Sequence, residues 1–220
     1  MLGHASDTPL QEVEVGTYRL PGFLAFPAGA SAAIVFAHGS GSSRFSERNL
    51  QVARRLNEAG FVTLLFDLLR PGEEIANNRA QVFDIGLLAG RLADAIHWLD
   101  AKLPAGTPIG LFGASTGAAA ALVTSVVFPD KVTAVVSRGG RPDMARAVLD
   151  RVKAPTLLIV GGEDRGVIEL NEHALSHLKG VARLAIVPGA GHLFAEAGAM
   201  EEVTRLATDW FEQYLTPSPS

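Results

Sequence analysis

Apolar residues recur along the chain in short runs that alternate with helical patterns. From residue 32 onwards, six runs are apolar on both faces, as expected of parallel strands that are covered by helices. These runs are 32–37, 61–66, 108–112, 132–136, 156–160 and 182–187. Apolar positions spaced by three and four predict helices in the gaps, at 46–59, 81–103, 116–127, 144–152, 168–178 and 200–214. The alternation predicts an α/β fold with a mostly parallel, doubly wound sheet.

The N-terminal part of the chain has a different pattern. Residues 11–20 and 22–26 flank the Pro21-Gly22 turn and predict an antiparallel pair at one edge of the sheet. Strands and helices then alternate to the end without a long linker or repeat, so we expect a single domain over 1–220. The extreme ends, 1–10 and 216–220, are expected to be loose.

Composition and charge exclude several classes of protein. The chain is 48% hydrophobic and carries a net charge of −4 without a concentrated basic face, which argues for a folded protein that does not bind nucleic acid. The absence of cysteine excludes disulfides, thiolate metal sites and a cysteine nucleophile. Apolar runs are too short to span a bilayer, and residues 1–14 lack a signal-like apolar stretch. We therefore expect a cytoplasmic protein without a membrane partner; its oligomeric state stays open.

The strongest chemical signal is Gly113-Ala114-Ser115-Thr116-Gly117, which lies between a buried strand and an Ala-rich helix. A G-x-S-x-G sequence at a strand–turn–helix junction is typical of a nucleophile that projects above the sheet. The alternative is a small-residue turn in which Ser115 merely caps the helix. Ser115 is the candidate nucleophile.

A second glycine- and serine-rich loop, residues 38–43, follows the strand at 32–37. A tetrahedral intermediate needs two donors aimed at its oxyanion, and the backbone amides of Ser40 and Thr116 are the candidates. The loop lacks the Lys-Ser/Thr ending of a phosphate-binding loop, so nucleotide binding has little support. His38 is expected to support the loop rather than to act in catalysis.

A carboxylate and a histidine follow two later strands. Asp164 comes after Gly161-Gly162, and His192 stands in a glycine-rich turn after the last predicted strand. Such a pair can serve as orienting acid and general base for a serine. Asp143 follows a neighbouring strand and is the alternative acid.

The order Ser, Asp, His, each at a strand's carboxyl end, resembles the α/β-hydrolase superfamily over nearly the whole chain. It is most similar to the small dienelactone-hydrolase-like branch. The resemblance implies an α/β-hydrolase fold, Ser115 as nucleophile, His192 as base and acid, and Asp164 as orienting carboxylate, with no metal or organic cofactor. Dienelactone hydrolases proper use cysteine, so Ser115 favours an ordinary serine esterase.

The expected partner is a small-molecule ester. The segment 138–143 is too short for an inserted cap domain, so we expect an open, shallow site. Gly39, Gly41 and Leu69 are candidate substrate contacts. Arg138 and Arg141 could bind an acidic substrate group, but pairing with Asp143 or exposure to solvent is the preferred interpretation. The leading function is a carboxylesterase; a thioesterase, a lactone or dienelactone hydrolase, an acyltransferase and a non-catalytic ligand-binding protein are the alternatives.

Overall fold

A computed structural model describes residues 8–73 and 76–215 and gives one eight-stranded sheet. The strands are β1 Gln11–Val15, β2 Leu20–Ala25, β3 Ala32–Ala37, β4 Phe61–Phe66, β5 Ile109–Ala114, β6 Val132–Arg138, β7 Thr156–Gly161 and β8 Ala182–Val187. Their spatial order is β1-β2-β4-β3-β5-β6-β7-β8. β1 and β2 run antiparallel to their neighbours, and the pairs from β4 to β8 are parallel. The predicted α/β-hydrolase architecture with an antiparallel N-terminal edge is confirmed.

Five α-helices cover the two faces of the sheet. They are α1 Glu47–Glu58, α2 Ile85–Asp100, α3 Thr116–Val127, α4 Arg165–His177 and α5 Ala199–Leu215. One buried apolar layer lies under α2 and α3, and the other lies under α1 and α5. Each large apolar side chain that is fully buried in these layers stabilises the fold by about 1.5–3 kcal/mol. In the described part of the chain, no helix is long and apolar enough to cross a membrane.

Several predicted boundaries are wrong for local reasons. The first strand ends at Val15 because Gly16 and Arg19 both have positive φ and close a turn, Arg19 N–H donating to Gly16 O at 3.1 Å. The helix predicted over 81–103 begins only at Ile85, because Asp84 caps it by accepting a hydrogen bond from Leu87 N–H at 2.9 Å.

Two segments form 3-10 helices where an α-helix or no element was predicted. The helix predicted over 144–152 is the 3-10 helix Pro142–Arg151, which begins with a proline in its first turn. A second 3-10 helix, Ala76–Phe83, precedes α2. The looseness predicted for the chain ends falls mainly on residues 1–7 and 216–220, which lie outside the described residues.

Candidate active site

Ser115 occupies the sharp turn between β5 and α3, with φ +50° and ψ −119°. A residue other than glycine in such a region costs about 1–3 kcal/mol, and this cost is typical of functional sites. Although Ser115 is the N-cap of α3, its side chain makes no capping hydrogen bond. The alternative of a helix-capping serine is therefore wrong. Backbone bonds fix the turn, because Ser115 N–H donates to Arg138 O at 3.2 Å and Ser115 O accepts from Arg141 N–H at 3.1 Å.

Gly117 lets α3 begin directly against β3. A β-carbon at this position would lie 2.1 Å from Ala37 O and 2.6 Å from His38 O, so no larger residue fits without displacing the backbone. Gly39 approaches Ser115 in a similar way, since its β-carbon would lie 2.9 Å from Ser115 Cβ. The glycines of both loops thus bring the end of β3 against the Ser115 turn.

Asp164 and His192 form the second part of the site. His192 Nδ1 lies 2.6 Å from Asp164 Oδ2, and the carboxylate is the more buried of the two side chains. Asp164 stands at the N-cap of α4, but it makes no side-chain capping bond there and uses its carboxylate on the imidazole instead. Asp143, the alternative acid, instead accepts a bidentate pair of hydrogen bonds from Arg141, at 2.8 and 2.7 Å.

Ser115 and His192 both lie beside the end of β6. A β-carbon on Gly139 would lie 3.7 Å from His192 Cε1, and the preceding residue, Arg138, accepts the Ser115 N–H. Among the described residues, Ser115 Oγ makes no hydrogen bond, to His192 or to any other group. Hydrogen bonds between a catalytic hydroxyl and its general base are often long before substrate binds and shorten in the complex.

The two predicted oxyanion donors differ in their present partners. Within the described chain, Thr116 N–H makes no hydrogen bond, as expected of the first residue of a helix. Ser40 N–H, in contrast, donates to Thr116 Oγ1 at 3.0 Å. The loop after β3 and the turn around Ser115 are therefore joined by a hydrogen bond between the two groups that were predicted to bind an oxyanion.

His38 holds the loop after β3 from below. Leu68 N–H donates to His38 Nε2 at 2.9 Å, so the proton of the neutral ring is on Nδ1, which donates to Gly39 O at 2.9 Å. Burial lowers the pKa of His38, and hydrogen bonding to Gly39 O only partly opposes this effect. The neutral ring thus orients the Gly39–Ser40 peptide through these two hydrogen bonds, in line with the supporting role expected for it.

A cavity of about 430 Å³ opens beside Thr116 and the loop after β3. Gly39, Gly41 and Leu69, which were predicted to contact substrate, line it. Sequence reasoning missed other lining residues, namely His38, Ser42, Ser43, Phe45, Asp67, Val82 and Leu88. Val82 belongs to the 3-10 helix before α2, whose last residues fall at the start of the helix predicted over 81–103.

The two arginines after β6 have different environments. Arg141 pairs with Asp143, as the preferred interpretation held. Arg138 neither pairs with Asp143 nor faces solvent: it is only 6% exposed, donates to Asn49 Oδ1 at 3.3 Å and lies over the Phe194 ring. Burial and the nearby Arg48 lower its pKa to about 10, so it stays charged at neutral pH. Neither arginine lines the cavity beside Thr116.

The groups that this site offers for chemistry are side chains and backbone amides of the chain. The described residues contain no group of three or more His, Cys, Asp or Glu side chains that could hold a metal ion. A serine in a strained turn, an Asp–His pair and the Thr116 N–H, which has no partner among the described residues, together suit nucleophilic attack on a carbonyl and stabilisation of the oxyanion.

Comparisons with known proteins agree with this architecture. Two Mycobacterium tuberculosis proteins, from strains CDC 1551 / Oshkosh and H37Rv and each named "Putative phosphoribosyl transferase", are 54% identical over 222 residues. The match covers 98% of this chain and 50% of each relative, so the chain spans about half the length of the curated relatives it matches.

Solved structures show the same fold. The crystal structure of dienelactone hydrolase from Anabaena variabilis has a TM-score of 0.90 at 51% identity, covering 97% of this chain and 100% of that one. Est1E from Butyrivibrio proteoclasticus has a TM-score of 0.75 at 16% identity, covering 93% and 98%, and is similar in fold alone. A model of the family described as "Dienelactone hydrolase family" matches residues 20–215. The chain therefore belongs to the dienelactone hydrolase family and has the α/β-hydrolase fold.

Proposed function

We propose that this chain is a serine hydrolase that cleaves small carboxylic esters through an acyl-enzyme. The observation that carries the proposal is the Asp164–His192 bond of 2.6 Å at the sheet edge where Ser115 sits with φ +50°. A non-catalytic ligand-binding protein has no need of a strained serine beside a coupled carboxylate and imidazole.

The reaction follows from the roles of these groups. His192 Nε2 takes the Ser115 proton while Oγ forms a bond to the acyl carbon, and the carbonyl π electrons move to oxygen. Asp164 holds the imidazole in the required tautomer through Nδ1 and stabilises the imidazolium. Collapse of the intermediate expels the alcohol, which takes the proton from His192. Water activated by the same histidine then hydrolyses the acyl-enzyme.

The cavity favours a compact, largely apolar acyl or alcohol group. Phe45, Leu69, Pro71, Val82 and Leu88 supply apolar surface, and hydroxyl groups of the loop after β3 supply a polar side. A volume of about 430 Å³ suits a small molecule rather than a polymer. We therefore expect small esters to be better substrates than long-chain lipids.

A second candidate is hydrolysis of a lactone of the dienelactone type. It is favoured by the 51% identity to the Anabaena variabilis protein, whose name states that activity. The two Mycobacterium tuberculosis relatives are named as phosphoribosyl transferases. As part of this proposal, we assign that activity to the half of those proteins that the chain does not cover. Thioester hydrolysis and acyl transfer to another alcohol would use the same groups.

The test is hydrolysis of p-nitrophenyl acetate and labelling by an active-site phosphonate. Ser115→Ala should lower kcat by about a millionfold and abolish labelling, because the nucleophile is lost. Ser176→Ala is the matched control: Ser176 is exposed on α4 and bonds only to its own helix, so this variant should keep wild-type rates.

A Ser115→Ala variant that is still labelled, or that hydrolyses the ester at the wild-type rate, would overturn the proposal. Rates on an acetate ester, the matching thioester and a five-membered lactone then rank the candidate substrates.

A further inference from the structure

The hydrogen bond between Ser40 and Thr116 changes which atom can reach an oxyanion. A threonine hydroxyl carries one donor hydrogen and two lone pairs. Ser40 N–H occupies one lone pair of Thr116 Oγ1, at 3.0 Å. Among the described residues no acceptor receives the Thr116 O–H, although the residue is only 2% exposed. A buried hydroxyl of this kind is poised to donate to a group that enters the site.

The position of Thr116 fits that role. It directly follows the nucleophile, forms the first turn of α3 and lines the cavity beside Ser40. Its backbone N–H lacks a partner in the described chain and points from the helix N-terminus. One residue therefore offers an amide and a hydroxyl donor, both next to Ser115.

We propose that the Thr116 hydroxyl, oriented by the Ser40 N–H, is the second donor to the oxyanion and acts together with the Thr116 amide. This inference rests on the proposed function and assigns Ser40 a positioning role in place of a direct contact with the oxyanion. When Ser115 Oγ bonds to the acyl carbon, the carbonyl π pair becomes the lone pair that accepts both hydrogen bonds. Both donors keep their protons, and the pair returns to the carbonyl when the alcohol leaves.

Two physical effects make this hydroxyl a strong donor. A hydroxyl that accepts a hydrogen bond is polarised and donates a stronger one. The β-branched threonine side chain also has few allowed rotamers, so the donor is held in place before the reaction begins. Preorganisation of this kind is the main source of oxyanion stabilisation in enzymes.

The experiment compares Thr116→Val, which keeps the shape and removes the hydroxyl, with Thr116→Ser, which keeps the hydroxyl and removes the methyl group. Thr116→Val should lower kcat and kcat/KM together by about 100-fold or more, as expected when one oxyanion donor is lost. Its affinity for an arylboronic acid, which forms a tetrahedral adduct with the serine, should fall in parallel. Thr116→Ser keeps the donor but loses the rotamer restriction, so its losses should be several-fold at most and well below those of Thr116→Val in all three measurements.

Each other result is decisive against the inference. An unchanged or faster Thr116→Val variant means that the Ser40 amide, freed of its acceptor, serves the oxyanion itself. Equal losses in Thr116→Val and Thr116→Ser mean that the methyl group matters through packing. If Thr116→Val does not fold by circular dichroism, Thr116→Ala replaces it, and a boronic acid affinity equal to that of Thr116→Ser overturns the inference. An active Ser115→Ala variant overturns the proposed function instead.

Discussion

At the scale of single residues, the site concentrates groups in states that a folded protein rarely tolerates. Ser115 has a strained backbone, and Arg138 buries a guanidinium whose only side-chain hydrogen bond in the described structure is the 3.3 Å contact to Asn49. Their backbones are joined, since Arg138 O accepts the Ser115 N–H. Both costs therefore fall at the adjacent ends of β5 and β6, where pairing between the two strands holds the backbone in place.

The choice of catalytic acid can be tested on two aspartates. Asp164→Asn should lower kcat by about 10⁴-fold, because an amide at the 2.6 Å contact favours the wrong imidazole tautomer. Asp143→Asn removes only the partner of Arg141 and should keep the wild-type rate. Ester hydrolysis by both purified variants decides the matter; a larger loss in Asp143→Asn would transfer the acid role to Asp143.

At the scale of elements, the junction of β3, β5 and α3 sets the site. α3 begins so close to the end of β3 that only glycine fits at Gly117, and the loop after β3 is tied to α3 by the Ser40–Thr116 bond. Ser115 and the loop after β3 follow different strands but form one packed unit. A change in the packing of this unit should affect stability and activity together.

Gly117→Ala tests this coupling. The added carbon would lie 2.1 Å from Ala37 O, so β3 or α3 must move, which should cost about 1–3 kcal/mol of unfolding free energy or more and abolish esterase activity. Gly90→Ala is the control, because Gly90 is exposed on α2 with open space around it. That variant should gain about 0.5–1 kcal/mol and keep full activity. Urea denaturation and ester hydrolysis measure both effects, and equal stability of the two variants would contradict the prediction.

Elements with a strong pattern could be predicted from sequence, and those that depend on tertiary contacts could not. The strands at 32–37 and 61–66 have the predicted bounds, because double burial leaves a continuous apolar run. The edge strand at 182–187 also has the predicted bounds, although Arg183 and Ile186 are exposed and only one face is buried. The 3-10 helix Pro142–Arg151 has an apolar spacing that an α-helix would also show.

The same division holds for the site. Ser115, Asp164 and His192 follow strands in a recognisable order, so their placement could be predicted from the chain alone. The burial of Arg138 could not, because it depends on Asn49 and Phe194, which are distant in sequence. Phe45, in the loop before α1, and Val82, in the 3-10 helix before α2, likewise reach the cavity through tertiary packing that no local pattern specifies.

At the scale of the whole molecule, the carboxyl edge of the sheet carries the candidate active site and is also a place where stability should respond to pH. His38 connects the ends of β3 and β4 through Gly39 O and Leu68 N–H, with its ring neutral and buried. Protonation of Nε2 would remove the acceptor of the Leu68 N–H and place a charge in the interior. Global unfolding should therefore depend on the state of this one ring.

The sign of the effect follows from the pKa of His38, which burial lowers below its ordinary value of 6.5. As the pH falls below about 6.5, His38 binds a proton in the unfolded chain but stays neutral in the folded protein, so the unfolding free energy decreases. Asp143 behaves separately: Arg141 lowers its pKa, and its contribution is lost only in more acidic solution, below about pH 4. Urea denaturation from about pH 8 to 5 should show a decline that His38→Gln flattens and Asp143→Asn leaves in place. A decline of wild-type steepness in His38→Gln would mean that another group controls acid sensitivity.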